Sequence, residues 1–128
     1  MKLNHDLVRS LLLSIESSDN PHGFSPREVN EFIENNDFSK NDIGYTVNKL
    51  KEARFVTGEA TISGDDYYII NPGNLTYDGH EFLDNIRDDG VWKDTKEIAS
   101  KFSSVSASFL SKIAVGVISE IIKKQIGF

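Results

Sequence analysis

Apolar residues recur at helical spacing from the start of the chain. Leu3, Leu7, Leu11 and Ile15 fall on one stripe, with Val8 and Leu12 beside it, and this period predicts an amphipathic helix over residues 3–17. The turn formers of SSDNPHG end it. FSPREVNEFIENN carries the marks of a short second helix: Ser25 as N-cap, Pro26 at the first helical position, Glu28 completing a capping box, and Val29, Phe32 and Ile33 as its apolar face. Phe24 is placed to staple the entry. FSKNDIGYTVNKLKEARFV starts a third, longer helix at Ser39, with Asp42 in its first turn and Ile43, Val47 and Leu50 pointing one way. Two helices joined by a tight turn, the second longer, form a helix-turn-helix pattern.

The pattern then becomes β-rich. Phe55-Val56, Ala60–Ile62 and Tyr67–Ile70 are strand-like, and SGDD supplies a hairpin turn. A hairpin directly after such a helix pair is the wing of a winged helix. Helical spacing resumes in LTYDGHEFLDNIRDD, with Thr76 as cap and Phe82, Leu83 and Ile86 as the apolar face. It continues in VWKDTKEIASKF and in SVSASFLSKIAVGVISEIIKKQIGF. Asp88-Asp89-Gly90 reads as a C-terminal turn with glycine as a left-handed cap. The expected fold is mainly α with a small antiparallel β-hairpin (α+β): a winged helix-turn-helix over residues 1–90 and a C-terminal helical extension over 91–128.

The last helix departs from ordinary amphipathicity. Projected at 100° per residue, Phe109, Leu110, Ile113, Val117, Ile118, Ile121 and Ile122 spread over more than half its circumference. Lys112, Glu120, Lys123 and Lys124 interrupt the run, which excludes a transmembrane span. A helix apolar on several sides is expected to be covered on several sides, and a homo-oligomer, a dimer, is the expected occupant. A basic amphipathic helix on a membrane surface is the competing reading.

Charge separates the two parts. Through Gly90 there are 8 basic and 17 acidic residues, a net of −9, and from Val91 onward 6 basic and 3 acidic, a net of +3. The whole chain, at −6 over 128 residues, is ill suited to non-specific nucleic-acid binding. The absence of cysteine excludes a disulfide framework and thiolate metal sites, and suits a reducing, cytoplasmic setting. Asp6 and Arg9 interrupt the first apolar run, so it reads as a helix and not as a signal peptide.

Candidate chemistry is sparse. His80 and Asp84 share a helix face at i, i+4 and could begin a metal site, but nothing else in the chain has ligand spacing. The preferred reading is a solvated helix face, with Asp78 and Glu81 complementing the helix dipole. Trp92 reads as a packing anchor, and Gly79 as a point of close packing or bending. No metal, cofactor or catalytic constellation is expected, and the chain is not read as an enzyme. The third helix is the best candidate for double-stranded DNA: Lys40, Asn41, Tyr45, Thr46, Asn48, Lys49 and Arg54 lie on or beside the face opposite Ile43, Val47 and Leu50. Residues 39–54 sum to +2 in an otherwise acidic region. Against that stand an acidic wing tip, SGDD, and an acidic second helix. The leading reading is a DNA-binding transcriptional regulator in which the third helix reads the major groove; the alternative is an adaptor or inhibitor that binds a host protein without DNA.

MKLNHDLVRSLLLSIE, LTYDGHEFLDNIRDDGVWKDTKEIA and the tail SVSASFLSKIAVGVISEIIKK together resemble one small bacterial and prophage-borne family, a domain of unknown function often labelled phage-related. The resemblance implies a winged-helix fold and a mobile-element setting, which makes the leading reading a phage- or prophage-related regulator, and it implies no activity.

Overall fold

Each helix opens on a side-chain oxygen that satisfies a backbone N–H left orphaned by the first turn. In this computed structural model, which describes residues 1–127, the elements are α1 (His5–Ser17), α2 (Pro26–Asn35), α3 (Lys40–Glu52), β1 (Glu59–Ser63), β2 (Asp66–Asn71), α4 (Tyr77–Ile86), α5 (Asp89–Ala99) and α6 (Ala107–Ile126). Asn4 accepts from the Leu7 N–H at 3.1 Å. Ser25 and Glu28, and Ser39 and Asp42, form reciprocal capping boxes. Thr76 Oγ1 accepts from the Gly79 N–H at 3.0 Å, and Ser106 Oγ from the Phe109 N–H at 3.1 Å.

Two boundaries differ from the sequence expectation. Asn4 starts α1, which leaves Leu3 outside the helix. Asp88-Asp89-Gly90 does not close α4 with a left-handed glycine. The Asp88 carboxylate accepts from the Val91 N–H at 2.9 Å, so Asp88 is the N-cap of α5 and Gly90 lies inside its first turn. Aspartate is among the strongest N-caps, and here that preference outweighs the glycine signal.

The chain divides into two compact units, Met1–Glu81 and the residues from Phe82 onward. In the first, α3 touches α1 and both strands, and α2 touches β2. Leu7, Val8, Leu11, Leu12 and Ile15 of α1, Val29 and Phe32 of α2, and Ile43, Val47 and Leu50 of α3 are buried. Each such apolar side chain contributes on the order of 1.5–3 kcal/mol. β1 and β2 form a two-stranded antiparallel sheet in which Ala60 faces Ile70 and Thr61 faces Ile69, with an irregularity between Thr61 and Ile62. The turn uses Gly64 at φ 65°, a conformation that favours glycine. Val56, grouped with the strands by composition, instead bridges Leu75, and Phe24 bridges Gly73.

In the second unit, α5 lies against α6. Its buried residues include Leu83 and Ile86, Val91, Trp92 and Thr95 of α5, and Leu110 and Ala114 of α6. The Asn85 amide donates to Ser111 Oγ at 3.0 Å. Among the described residues no helix is long and apolar enough to cross a membrane.

Candidate functional site

α3 presents three faces. Ile43, Thr46, Val47 and Leu50 are buried. A second flank meets the hairpin. A Cβ at Gly44 would overlap the Tyr67 ring, so the hairpin sits flush on the helix there. Next to it, the Asn48 amide donates to the Ala60 carbonyl at 3.1 Å and its carbonyl accepts from the Ala60 N–H at 2.9 Å. Lys40 Nζ donates to the Tyr68 carbonyl at 3.4 Å, and Lys51 pairs with Glu59 at 3.1 Å. The third face is the most open and carries Asn41 and Glu52, which are exposed, and Tyr45 and Lys49, which are half-buried.

This geometry sorts the residues expected to meet DNA. Thr46 is buried and donates to the Asp42 carbonyl at 2.7 Å, so its hydroxyl is out of reach of a phosphate. Asn48 uses both ends of its amide on the β1 backbone and has no bidentate edge left for adenine. Arg54 lies beyond α3, past its C-cap Ala53, at φ 66°. Its carbonyl accepts from Thr76 Oγ1 at 2.5 Å. Lys40, Asn41, Tyr45 and Lys49 remain toward the surface. Lys49 pairs with Glu52 at 3.0 Å and stands over the Tyr45 ring, 5.5 Å from its centroid. Glu52 beside it, by hydrogen bond and by charge, holds the ammonium above the ordinary lysine range. The open stripe is therefore locally neutralised. The first unit as a whole holds 7 basic against 14 acidic residues, a net of −7.

The hairpin carries further exposed apolar side chains. Ile62, Tyr68 and Ile69 are exposed, next to Asp65 and Asp66 at the turn.

The residues expected to drive self-association are divided by α6. Leu110 is 2% exposed and belongs to the interior of its own unit. Ile113, Val117 and Ile118 are half-buried, and Ile121 and Ile122 are exposed. Phe109 is exposed and stacks edge-to-face on Phe102, with ring centroids 6.0 Å apart. Val115, Ile126 and Ile98, absent from the sequence-derived set, are exposed as well. Between α5 and α6 runs a groove of about 520 Å³ with Ile98, Ile113, Gly116, Val117 and Ile121 in its lining and Asp94, Glu97, Glu120 and Lys124 as its charged members.

His80 is half-exposed and faces Glu16, with Nδ1 3.7 Å from the carboxylate, whereas Asp84 pairs with Arg87 at 3.0 Å. Among the described residues no three histidine, aspartate or glutamate side chains converge as a metal site would require. A polar cleft of about 370 Å³ is lined in part by Ser14, Ser17, Ser18, Glu28 and Asn35. Its Glu28 carboxylate is committed to the α2 cap: the Ser18 hydroxyl, then the Ser25 backbone and hydroxyl, hold it below the usual carboxylate range. At Gly79 a Cβ would overlap the Phe55 carbonyl, so close approach, and not bending, accounts for that glycine.

The comparisons with known proteins give no activity to transfer. The chain is 31% identical over 134 residues to an uncharacterized protein of Haemophilus influenzae, an alignment covering 95% of this chain and 99% of that protein. No solved structure matches the chain. The family model described as Hypothetical protein (DUF2513) matches residues 2–106, ending at the residue that caps α6. A match over that much of its length means that the chain belongs to the DUF2513 family.

Proposed function

We propose that this chain is a non-enzymatic protein-interaction module of the bacterial cytoplasm. Its first unit is a winged-helix head in which α2 and α3 form the helix-turn-helix and β1–β2 the wing. The surface of α3 and the hairpin binds a protein with a basic face, and the C-terminal unit self-associates through α6. One observation carries the reading: several of the α3 side chains suited to base recognition are engaged by neighbouring groups, while Asn41 and Tyr45 stay on the open face. Thr46 is buried, Asn48 is held by Ala60, and Lys49 is neutralised by Glu52 in a unit of net charge −7. A DNA-binding surface needs unpaired cations to displace the counterions of the duplex. The exposed Ile62, Tyr68 and Ile69 support a protein partner instead.

A second reading is a DNA-binding transcriptional regulator of phage or prophage origin. The open stripe of α3 favours it, since Asn41, Tyr45 and Lys49 lie where a recognition helix would enter the major groove. A photo-crosslinking residue at position 45, in living cells, separates the two. The module predicts an adduct that protease destroys and nuclease leaves intact. A nuclease-sensitive adduct contradicts it.

A further inference from the structure

Gly116 stands in the middle of the twenty-residue helix α6, with nothing within 4 Å of where its Cβ would be. It makes no turn and has no positive φ. Glycine is disfavoured against alanine inside a helix, and neither a tight contact nor a special dihedral within the chain explains it. It also lies on the α5–α6 groove, among Ile98, Ile113, Val117 and Ile121. A missing side chain on an apolar groove is what the close approach of another helix requires, since interaxial distance follows the side chains at the crossing.

The charges around Gly116 indicate which helix. Four residues before it stands Lys112 and four residues after it Glu120, each about one helical turn away and on the same side. Both are exposed, and Glu120 is paired only loosely within the chain, to Lys123 at 3.5 Å. This arrangement is complementary to itself when reversed. Two copies of α6 running antiparallel and crossing at Gly116 put Lys112 of each opposite Glu120 of the other. A parallel pair would set like charges together. Asp94 and Glu97 also line the groove, together with Lys124, so that its charged members are mainly acidic. A contact in which the same patch serves both partners is the isologous geometry of a two-fold dimer.

We propose that a second copy of the chain seats its α6 antiparallel in the α5–α6 groove, the helices crossing at Gly116 with two Lys112–Glu120 pairs. This rests on the self-association reading of α6 and gives it a partner face and a direction.

The test is sedimentation equilibrium of the full chain at low salt. The wild type is expected to dimerise. Lys112→Glu and Glu120→Lys are each expected to weaken the dimer about tenfold, because each change acts on both symmetric pairs. The double reversal is expected to recover most of that loss. Gly116→Leu, which raises helix propensity and so does not threaten the fold, is expected to weaken the dimer by obstructing the crossing. Ile122→Asp, on another side of α6, is expected to leave it unchanged. A dimer that ignores the charge reversals and dissociates with Ile122→Asp overturns the crossing while self-association stands. A wild-type chain that remains monomeric overturns both.

Discussion

The side-chain amide of Asn48 bonds both main-chain groups of Ala60, donating to its carbonyl at 3.1 Å and accepting from its N–H at 2.9 Å. This bidentate clasp ties α3 to β1 and replaces a missing third strand at that point of the sheet. Removing it leaves a buried donor and acceptor unpaired. Asn48→Ala is therefore expected to cost about 2–4 kcal/mol in chemical denaturation. Asn48→Asp, which keeps the acceptor but turns a carboxylate oxygen toward the Ala60 carbonyl, is expected to cost at least as much. A neutral Asn48→Ala would mean that the hairpin is held elsewhere.

The flush contact of Gly44 with the Tyr67 ring makes a second, independent prediction. Any side chain at position 44 must push the ring away. Gly44→Ala is expected to destabilise by about 1–3 kcal/mol despite alanine's better helix propensity. The readout is the thermal midpoint with near-ultraviolet circular dichroism of the tyrosines. An increase in stability would contradict the packing.

Acid response isolates the α2 cap. The Ser18 hydroxyl, with the Ser25 backbone and hydroxyl, lowers the folded-state pKa of Glu28. A lowered carboxylate pKa contributes stability above the unfolded value, and that contribution disappears as pH falls through the folded one. The stability gap between wild type and Glu28→Gln is expected to shrink from about pH 6 to about pH 3. A gap that does not change with pH would show that the charge of Glu28 contributes nothing to the cap.

The two sides of α6 should respond differently. Leu110 is buried in its own unit, so Leu110→Ala is expected to cost about 2–5 kcal/mol of folding stability. Ile122 is 52% exposed, and Ile122→Ala is expected to change stability by less than about 0.5 kcal/mol. Denaturant titration at low protein concentration compares them. Similar losses would mean that α6 is covered more evenly than its exposure indicates.

Much of this architecture is written in local chemistry. Ser25 with Glu28, Ser39 with Asp42, and Thr76 each announce a helix start, because a cap is made within four residues. Gly64 marks the hairpin turn for the same reason. Gly90 misled: a glycine after DD resembles a helix end, and only the Asp88 bond to the Val91 N–H shows that a helix begins there. The roles of Asn48 and Gly44 could not be read locally. Both depend on a hairpin more than ten residues away folding back onto α3, and periodicity places Asn48 at the edge of the outer face without saying which way its amide turns. The sequence shows α6 as apolar nearly all round, but only the packing of α5 separates interior Leu110 from exposed Ile122.

The most direct test of a protein-facing head is fluorescence anisotropy of the purified chain with random-sequence and genomic double-stranded DNA across a salt series. A protein-facing head gives no saturable binding even at low salt, and no change with Lys49→Glu. Binding that falls steeply with salt, and that Lys49→Glu abolishes, would contradict it and return α3 to the role of a recognition helix.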